Sequence, residues 1–576
     1  NINFSGKNIA VIGEDRETTI IDGDSIGSVV TIPYGPDGAV LKNFTIQNGV
    51  GQEGLYGVSG GAIYVEAVAT LDNLIVQNNS VNGYGGGIYF EGGSQNSVLK
   101  NSIIRNNISA QGAGLSIHNG ASPKIINTLI EGNIASGNGG GVLASSHTST
   151  FINCTITGNN AANGQGSSGL HLNHSDPDDY IDVINSSIYN NVGIELLAEF
   201  YIGGGLNISY SNVKGGFDSI EYTESYQGTI TWGSGNIDVD PIFVDSANGN
   251  YHLLASSQLI NGGHPDSSDS DGSRADIGAY PYLNNYSGPT WYIAEGGNDT
   301  TGTGASGDPF RSIQAGINFS SDADSVTVAA GTYVENVNFR GRNIKVVGED
   351  RETTIIDGNQ NGTVVTFDRE DYATLSGFTI QNGIGHYGGE SPTIRYGGGI
   401  FVFRSGASGS LDINLENLIV TNNSAQIGGG IYIYEAFSGV TIDNSVIINN
   451  NLDGEGWSVG GGIAITNSIA SISNSLIENN EDAGIYLTQG SDQIQNVISN
   501  SVIIGNEQGI ISSWNDAKIE NSSIVYNKSL GLNCSNGDQT VINSIIYGNG
   551  EINGSPNIEL FANDSESGIL SISYSL

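Results

Sequence analysis

Apolar and polar positions along the chain follow a recurring pattern of strands and turns. It reads apolar, any residue, Asn, any two residues, Ile or Val, any two residues, Asn, as in the segment from Ile125 through Asn127 and Ile130 to Asn133. Further copies are built on first asparagines at other positions: Asn73, Asn101, Asn153, Asn185, Asn417, Asn444, Asn474, Asn500, Asn521 and Asn543. Short β-branched runs closed by Asn or Gly are typical of strands. No helical period is sustained, so the pattern predicts β-structure.

The spacing of the copies predicts how the strands are stacked. Successive first asparagines are usually 21 to 32 residues apart, and most copies precede a glycine cluster such as Gly85–Gly87. A period of this length predicts a solenoid in which each repeat is one coil and strands of neighbouring coils pair in parallel. About 20 coils would make a rod on the order of 100 Å long. We expect each first asparagine to hold a tight left-handed turn and to stack, its side-chain amide bonded to the next asparagine or to the backbone.

A longer repeat divides the chain into two units. The segment Gly13–Gly23 recurs identically at Gly348–Gly358, an offset of 335 residues. The segment Ile208–Ser211 recurs at Ile572–Ser575. We expect each unit to be cut, the first lacking its beginning and the second its end, so that the chain is a mature or excised piece of a longer protein.

Between about residues 238 and 327 the coil pattern lapses, which predicts a domain junction. The first domain is expected over residues 1–286 and ends in a tail, residues 238–286. The second domain is expected over residues 287–576 and begins with an N-terminal cap, residues 291–330. In the cap, Phe310, Ile313 and Ile317 share one helical face, and Pro309 suits the first turn of a short amphipathic helix.

The glycine-containing segment Gly60–Ile63 and its relatives resemble the repeats of secreted bacterial right-handed parallel β-helix proteins, including polymorphic outer-membrane adhesins. The Phe-x-x-Asn half of the adhesin pattern is not kept. This resemblance covers nearly the whole chain and implies an all-β, right-handed parallel β-helix of the pectate-lyase-like fold, present as two tandem domains. The tail also resembles the segment that ends many secreted β-helix domains.

Composition excludes several classes of partner. The chain has 59 acidic and 18 basic residues, a formal charge of −41. Binding to nucleic acid or to anionic membrane surfaces requires clustered Lys and Arg, so neither is expected. No apolar run is long enough to cross a bilayer, so we expect no membrane insertion in this segment. The two cysteines, Cys154 and Cys534, are too few for a disulfide framework and leave the redox compartment open.

One polar cluster suggests a metal site. Asp266, Asp269, Asp271 and Asp276 alternate with other residues around Gly272, and carboxylates spaced in this way wrap Ca²⁺. The cluster lacks the terminal Glu of an EF-hand loop. The alternative is a solvated acidic turn in which Arg274 pairs with one carboxylate. A second acidic stretch, Asp176, Asp178 and Asp179, is predicted to be a solvated loop.

The sequence offers few candidate catalytic groups. Pectate lyases of this fold use Ca²⁺ and a basic residue, and related glycosidases use paired carboxylates. Here Arg395 and Arg404 flank a glycine cluster and form the most interesting basic pair, although coil-edge surface charges explain them equally well. The histidines show neither metal-ligand spacing nor a nucleophile partner, and we expect surface or turn positions for them: His118, His171, His174 and His252.

The sequence favours an extracellular structural or adhesive role, as a segment of a long tandem surface protein or filament. Its partners would be neighbouring copies or further tandem units, with carbohydrate as an additional partner. The alternative is a polysaccharide lyase or hydrolase, or a carbohydrate-binding spike, on the same fold. A groove with Arg or Lys beside clustered Asp at the same coil of both units would favour the enzyme. A groove of Ser, Thr, Asn and Gly would favour the stalk.

Overall fold

The structure is a computed structural model of the 576-residue chain. It describes all residues except 55–56, 146–147, 163–165, 175, 223–227, 369–371, 389–390, 404–410, 437–438, 455–457, 489–494, 551–556 and 562–568. The chain forms two compact units, Asn1–Asn284 (unit 1) and Asn285–Leu576 (unit 2). Each unit is a stack of coils whose strands form three parallel sheets.

We name the sheets by their place in the coil. Sheet I holds the strands before the first, or turn, asparagine, sheet II the strands that follow it, and sheet III the strands after the second asparagine. In unit 1, sheet I comprises Ala10–Ile12, Ala39–Lys42, Ala69–Asp72, Val98–Lys100, Lys124–Ile126, Ser149–Ile152, Tyr180–Ile184, Gly205–Ser209 and Thr229–Trp232. Sheet II comprises Ile20–Asp22, Thr45–Gln47, Ile75–Gln77, Ile103–Arg105, Leu129–Glu131, Thr155–Thr157, Ser187–Ile188 and Asn212–Val213. Sheet III comprises Ile2–Asn3, Val30–Ile32, Ile63–Val65, Ile88–Phe90, Leu115–Ile117, Val142–Ser145, Ser167–His174, Ile194–Phe200 and Glu221–Tyr222.

Unit 2 repeats the same three sheets. Its sheet I comprises Thr290–Ile293, Ser325–Val328, Lys345–Gly348, Tyr372–Ser376, Asp412–Glu416, Val440–Asp443, Ala470–Ser473, Gln495–Ser499, Asp516–Glu520, Gln539–Ile542 and Leu570–Ser573. Sheet II comprises Gly331–Val334, Thr354–Asp357, Thr379–Gln381, Ile419–Thr421, Val446–Ile448, Leu476–Glu478, Val502–Ile504, Ser523–Val525 and Ile545–Tyr547. Sheet III comprises Val337–Asn338, Val365–Phe367, Ile400–Phe403, Ile431–Tyr434, Ile463–Thr466, Ala483–Thr488, Gln508–Ser513, Leu532–Ser535 and Ile558–Phe561.

Smaller elements decorate the coils. Short strands at the turns of some coils pair in parallel: Ile108–Ser109, Ile134–Ala135 and Asn160–Ala161 in unit 1, and Ser424–Ala425 with Asn451–Leu452 in unit 2. Antiparallel hairpins join Gln52–Gly54 to Gly57–Ser59, Phe243–Asp245 to Asn250–Leu253, and His386–Gly388 to Ser391–Tyr396. Within the described residues, helix is confined to the α-helix Ile313–Phe319 and the 3₁₀ turns Phe217–Ser219 and Ser246–Asn248.

The cap helix begins later than the position of Pro309 suggests. Ser312 is its N-cap, and the Ser312 hydroxyl accepts a hydrogen bond from the Ala315 amide at 3.3 Å. Phe310 is extended and bonded to Tyr292, because its backbone pairs beside the strand Thr290–Ile293. A serine cap therefore sets the start of the helix, and the proline lies outside it.

Inward side chains form straight apolar columns. Leu41, Leu71, Leu99, Ile125 and Phe151 occupy matched positions on consecutive strands of sheet I, and all are fully buried. Parallel register without slips places each core residue on its counterpart in the next coil. Within the described chain, sheet I has nine strands in unit 1 and eleven in unit 2, which agrees with the predicted number of coils. The prediction of an all-β parallel β-helix in two tandem copies is confirmed.

The buried asparagine ladder is formed by the second asparagine of each coil. Asn107 donates from Nδ2 to Asn133 Oδ1 at 3.0 Å, and Asn133 does the same to Asn159. Each Oδ1 also accepts the backbone N–H of the asparagine before it, and each Nδ2 reaches a carbonyl of the preceding coil, as Asn133 reaches Ile104. The ladder members are buried throughout: Asn79, Asn107, Asn133, Asn159 and Asn191 in unit 1, and Asn423, Asn450, Asn480, Asn506, Asn527 and Asn549 in unit 2.

The first asparagines have the left-handed conformation that was predicted for them. Their φ angles lie between 46° and 55° at Asn73, Asn101, Asn127, Asn153, Asn185, Asn417, Asn444, Asn474, Asn500, Asn521 and Asn543. Their side chains bond across coils in places, as from Asn127 to Asn101 at 3.2 Å and from Asn543 to Asn521 at 2.7 Å. The continuous buried stack belongs instead to the second asparagines, because those side chains point into the coil and have no water to bond.

A second polar ladder explains one cysteine. The residue after the turn asparagine is usually Ser, and its hydroxyl accepts the backbone N–H of the coil before, as Ser475 does from Ser445 at 3.2 Å. Cys154 occupies this place in its coil, where its own N–H donates to Ser186. Both Cys154 and Cys534 are free and buried, and burial raises the pKa of each thiol to about 12.

We expect Asn133→Leu to destabilise unit 1 strongly. The substitution leaves the Asn107 backbone N–H and one of the two N–H groups of Asn107 Nδ2 without an acceptor inside the core, which costs about 3 kcal/mol or more. Hydrogen exchange of the coils between residues 98 and 161 should accelerate. Asn127→Gly is the matched control in the same coil, since glycine keeps the left-handed turn and the change should cost well under about 1 kcal/mol. Equal effects of the two substitutions would contradict the assignment of the ladder to the second asparagine.

Candidate functional site

The four aspartates predicted to bind Ca²⁺ lie in a compact loop of the tail in unit 1. Asp276 is buried, and its two carboxylate oxygens accept backbone N–H groups of Asn261 and Tyr282, each at 2.7 Å. Asp269 accepts the Asp276 N–H at 2.9 Å, and Asp271 accepts the Asn284 N–H at 2.8 Å. These three carboxylates thus fasten the loop to neighbouring backbone, a role that does not require a metal.

Asp266 and Arg274 complete the description of this loop. Asp266 is exposed, and its N–H donates to His264 Nδ1. Arg274 donates to the Gly263 carbonyl and lies over the Tyr210 ring, so it braces the loop against the coils. Within the described residues, no group of three or more His, Cys, Asp or Glu side chains is arranged to hold a metal ion. Calcium at Asp266, Asp269, Asp271 and Asp276 stays a prediction.

Two of these carboxyls resist ionisation. Burial, with the nearby Asp269 charge, raises the pKa of Asp276 to about 8. Burial also raises the pKa of Asp269 to about 6, and Asp271 adds to the effect. A bound cation would favour the charged forms of the same groups, so protonation and cation binding compete here.

The second acidic stretch is split between solvent and core. Asp176 and Asp178 are exposed, as predicted. Asp179 is buried, and its Oδ2 lies 3.9 Å from His174 Nδ1. The prediction of a solvated loop is therefore wrong for Asp179, which turns inward because His174 offers a polar neighbour.

The histidines do not all lie at the surface. His171 and His174 are fully buried, and His171 Nε2 is 3.1 Å from Glu199 Oε2. His118 is half-buried between Tyr84 and Tyr89, and burial lowers its pKa to about 4. The expectation of surface positions holds for His252, which is exposed. It also holds for His118, which opens the turn after the strand Leu115–Ile117. It is wrong for His171, which is buried beside Glu199, and for His174, which lies in the inward row of its strand and stacks on Phe200.

The basic pair Arg395 and Arg404 can be placed only in part. Arg395 forms an ion pair with Asp453, whose Oδ2 also accepts the Ser424 hydroxyl at 3.1 Å. Arg404 lies outside the described residues. Arg395 is thus tied to a neighbouring coil by a carboxylate.

The outer face of sheet I differs between matched coils of the two units. In unit 1, Lys42 and Lys100 flank Asp72 on three neighbouring strands, and Lys42 Nζ lies 3.0 Å from Asp72 Oδ2. The hydrogen bond from Asn101 and the two lysines lower the pKa of Asp72 against the opposing effect of burial. The matched positions in unit 2 are Ser376, Glu416 and Asp443. At these matched positions the cation–carboxylate group is therefore present in unit 1 and is not repeated in unit 2.

Outward aromatic residues on sheet III are repeated at matched coils. Tyr64 and Tyr89 stack in unit 1 with ring centroids 5.3 Å apart, and Phe401 and Tyr432 stack in unit 2 at 5.6 Å. Each follows a glycine cluster and lies between inward residues of its strand. The sequence shows this pattern as an aromatic residue directly after the first apolar residue of these strands. Candidate sites chosen for their charged groups do not include these aromatic residues.

Hairpins cover these aromatic stacks. In unit 2 the Tyr396 ring stacks on Tyr432 at 5.5 Å, and the His386 ring lies 4.8 Å from Phe401. Phe403 and Tyr434 extend the stack along the strands, with centroids 5.7 Å apart, and remain half-buried. Unit 2 thus exposes part of an aromatic surface, while its inner rings are packed.

The segment repeated verbatim has the same structural contacts in both units. Arg16 Nη1 donates to the Asn101 carbonyl at 3.0 Å, and Arg351 Nη1 donates to the Asn444 carbonyl at 3.0 Å. The preceding aspartate in each copy caps the same turn, and the final aspartate accepts a Gln and an Asn side chain from the next coil. The identical residues join coils together.

We expect the acidic loop to loosen as pH rises from about 5 to about 9. The folded pKa of Asp276 lies above its unfolded value, so its stabilisation is complete below about pH 4 and is lost as pH rises through about 8. Hydrogen exchange of residues 257–284, corrected for intrinsic rates, measures this. Asp276→Asn should remove most of the pH dependence.

Calcium can be tested in the same experiment. If the ion binds the four aspartates, excess Ca²⁺ at about pH 9 restores protection of residues 257–284, and a chelator reverses it. Unchanged exchange on adding Ca²⁺ would contradict the calcium prediction and leave the proton effect standing.

Comparisons with known proteins agree with the architecture. A family model described as a right-handed β-helix region matches residues 35–240 and 315–550. No helix among the described residues is long and apolar enough to span a membrane. No curated protein matches the chain.

Three solved structures are similar in fold. Pectate lyase Pel9A is 18% identical, with a TM-score of 0.33, over 50% of this chain and 76% of its own. The alginate lyase AlyGC of family PL6 is 12% identical, with a TM-score of 0.28, over 99% of this chain and 93% of its own. Pectin methylesterase from carrot is 13% identical, with a TM-score of 0.25, over 50% of this chain and 84% of its own. Similarity this low says nothing about activity, whereas the family match covers most of both units, and the chain belongs to the right-handed β-helix family.

Proposed function

We propose that the chain is a segment of a secreted, cell-surface tandem-repeat protein, a stalk of β-helix units with a structural or adhesive role. The observation that carries this proposal is the verbatim repeat. Residues kept identical in both units bond one coil to another, as Arg16 and Arg351 do. Repetition of purely structural contacts suits a stalk, because a catalytic site needs only one copy.

The faces of sheet I support the same proposal. At the sheet I positions that match Lys42, Asp72 and Lys100, unit 2 has Ser376, Glu416 and Asp443. Between these positions the outward residues Thr374, Asn414 and Thr441 are small and polar. A bland face of this kind favours the stalk over a polysaccharide-cleaving enzyme.

The proposed partners are further tandem units or neighbouring copies that continue the stack. Ile2, Val11 and Ile21 of the first coil are only half-buried. In unit 2 the matching coil pairs with the strands Ser325–Val328 and Gly331–Val334. We propose that parallel pairing of this kind also joins neighbouring copies in the assembled stalk. A structural Ca²⁺ at Asp266, Asp269, Asp271 and Asp276 is also part of this proposal.

A carbohydrate-binding or carbohydrate-cleaving role is the second candidate. The half-buried Phe403–Tyr434 pair favours binding, because flat aromatic faces accept the apolar faces of sugar rings. The Lys42–Asp72–Lys100 group of unit 1 favours cleavage, because cations beside a carboxylate suit an acidic sugar. The net charge of −41 favours a neutral polysaccharide over a polyuronate.

The structural role of the verbatim repeat is tested by paired substitutions. Arg16→Ala and Arg351→Ala each remove one hydrogen bond between coils, so each should lower the stability of its own unit by about 1 kcal/mol. Unit-specific hydrogen exchange under partial denaturation measures the loss. A change in glycan binding without a change in stability would show that the arginines serve recognition, against the proposal.

The two candidate functions are separated by incubating the chain with pectate, alginate and neutral polysaccharides, with Ca²⁺ present. The stalk predicts neither unsaturated products nor new reducing ends. A product that disappears in Lys42→Ala/Lys100→Ala but persists in Lys518→Ala would establish the enzyme instead.

Binding is measured with the same glycans on an array. Binding that is lost in Phe403→Ala/Tyr434→Ala, and retained in the control Trp514→Asn at an exposed left-handed turn, would establish a carbohydrate-binding surface. Binding equally affected by both variants would count against the aromatic pair as the site.

A further inference from the structure

The tail of unit 1 folds back over the outer face of sheet II. Tyr251 and Ala279 pack on Leu129 in a small apolar cluster, and Tyr251 Oη donates to Glu131 Oε2 at 3.3 Å. The Ala279 N–H donates to the Thr155 hydroxyl at 2.9 Å. The outward column of this sheet is consequently shut off from water, with Leu129 and Thr155 each 2% exposed.

Two residues of the last coils, Asn185 and Tyr210, hold the tail. Asn185 accepts the His264 N–H at Oδ1 and the Gly278 N–H at its carbonyl. The Tyr210 ring packs against His264 at 4.7 Å and beneath Arg274. Tyr189 lies beside the start of the tail, where burial together with Asp238 and Asp240 raises its pKa to about 12.

The same three residues recur in unit 2. The segment Val541–Asn549 matches Val183–Asn191 at its apolar, Asn, Ser and Tyr positions, and Ile572–Ser575 is identical to Ile208–Ser211. Asn543, Tyr547 and Tyr574 therefore correspond to Asn185, Tyr189 and Tyr210. The Tyr547 and Tyr574 side chains are 53% and 91% exposed, and Asn543 is exposed as well.

Among the described residues, the outward column of sheet II is less covered in unit 2. Matched positions on its consecutive strands carry an apolar strip, which we define as Ile419, Val446, Leu476, Val502 and Ile545. Val502 is 38% exposed and Ile545 is 43% exposed. The hydroxyl residue Ser523 lies between these two, where unit 1 has Thr155. Exposed strips of this kind on one sheet face mark binding surfaces.

We propose that the apolar strip of unit 2, together with Asn543, Tyr547 and Tyr574, is a docking face for a polypeptide segment with the recognition residues of the unit 1 tail. The occupant would place an aromatic and a small apolar residue on the strip, as Tyr251 and Ala279 do on Leu129. It would bring backbone N–H groups to Ser523 and Asn543, as Ala279, His264 and Gly278 do in unit 1. A His and an Arg would pack on Tyr574.

The polar residues favour this occupant over a second copy of the chain. An apolar strip alone would serve any hydrophobic partner. Asn185 and Tyr210 bond and pack the tail in unit 1, and Asn543 and Tyr574 keep the same places around the strip in unit 2. Asn543 also bonds to Asn521 within the coils, whereas the Tyr574 side chain is 91% exposed, so coil packing in the described part of unit 2 does not account for the repetition of this tyrosine.

The test appends a copy of residues 213–286 to the C-terminus of the full chain. Leu576 matches Asn212 in the long repeat, so residue 213 is the next position of the matching segment. Hydroxyl-radical footprinting then reports side-chain exposure at Val502, Ile545 and Tyr547. We expect several-fold slower oxidation of these residues in the extended chain than in the original chain. The same extension carrying Tyr574→Ala is the matched control and should lose most of this protection.

Tyr210→Ala in the original chain tests, without any extension, whether Tyr210 holds the tail of unit 1. It should release the tail of unit 1 and raise oxidation at Leu129, whereas Tyr574→Ala in the original chain should leave unit 2 unchanged. The proposal would be overturned if the extension folds, as shown by protection of its own amides, but leaves the apolar strip unprotected. An unchanged oxidation rate of Leu129 in Tyr210→Ala would also overturn the proposal. Self-association of the original chain that Val502→Ser/Ile545→Ser abolishes would assign the strip to a second copy instead.

Discussion

Eleven coils of this protein must each satisfy the polar groups of one buried asparagine, and the rest of the structure depends on that requirement. An asparagine amide inside the coil has two donors and one acceptor that water cannot reach. Stacking at one fixed register satisfies them all, because each Oδ1 takes two N–H groups of the coil before while Nδ2 reaches the next Oδ1 and a carbonyl. A slip of one residue between the strands that flank the ladder would break the chain of bonds, so the ladder fixes the register of those strands. Sheet III contains one shift, between Ser167 and Leu170, and the ladder bond from Asn159 to Asn191 is kept there.

The ends of the ladder show how strict this requirement is. In unit 1 the last member, Asn191, has no asparagine after it. Its backbone N–H and Nδ2 instead donate to the buried carboxylate of Glu195, with Nδ2 at 2.6 Å from Oε2. Burial raises the pKa of Glu195, and the Asn191 bonds oppose that effect. In unit 2 the ladder passes from Asn549 to Asn557. The Glu195 carboxyl in unit 1 and the Asn557 amide in unit 2 meet the same need, since the last donors of each ladder must have an acceptor.

The repetition that makes the ladder also explains which features the sequence predicts. Period, strand placement and left-handed turns follow from residues such as Asn127 and Asn133, whose spacing is constant because the geometry admits one solution per coil. Irregular features escape such reasoning. The burial of His171 beside Glu199 and of Asp179 beside His174 depends on strands that are longer than those of the regular coils. The role of Asp276 as an acceptor of two backbone amides depends on the folding of a non-repetitive tail, which has no period to read. A carboxylate cluster looks alike in sequence whether it binds an ion or fastens a loop.

The two units act as internal controls for one another, and their differences carry more functional information than their similarities. Matched residues with matched contacts, such as Arg16 and Arg351, are accounted for by the coil-to-coil bonds they share. Matched residues with unmatched surroundings need another explanation. Tyr210 is packed by its tail and Tyr574 stands 91% exposed, although the flanking residues are identical. A side chain fixed by the same backbone in both places differs only in what covers it. The exposed copy therefore identifies a surface by the contacts that its twin already makes, an argument that a solenoid permits because its coils are physically equivalent.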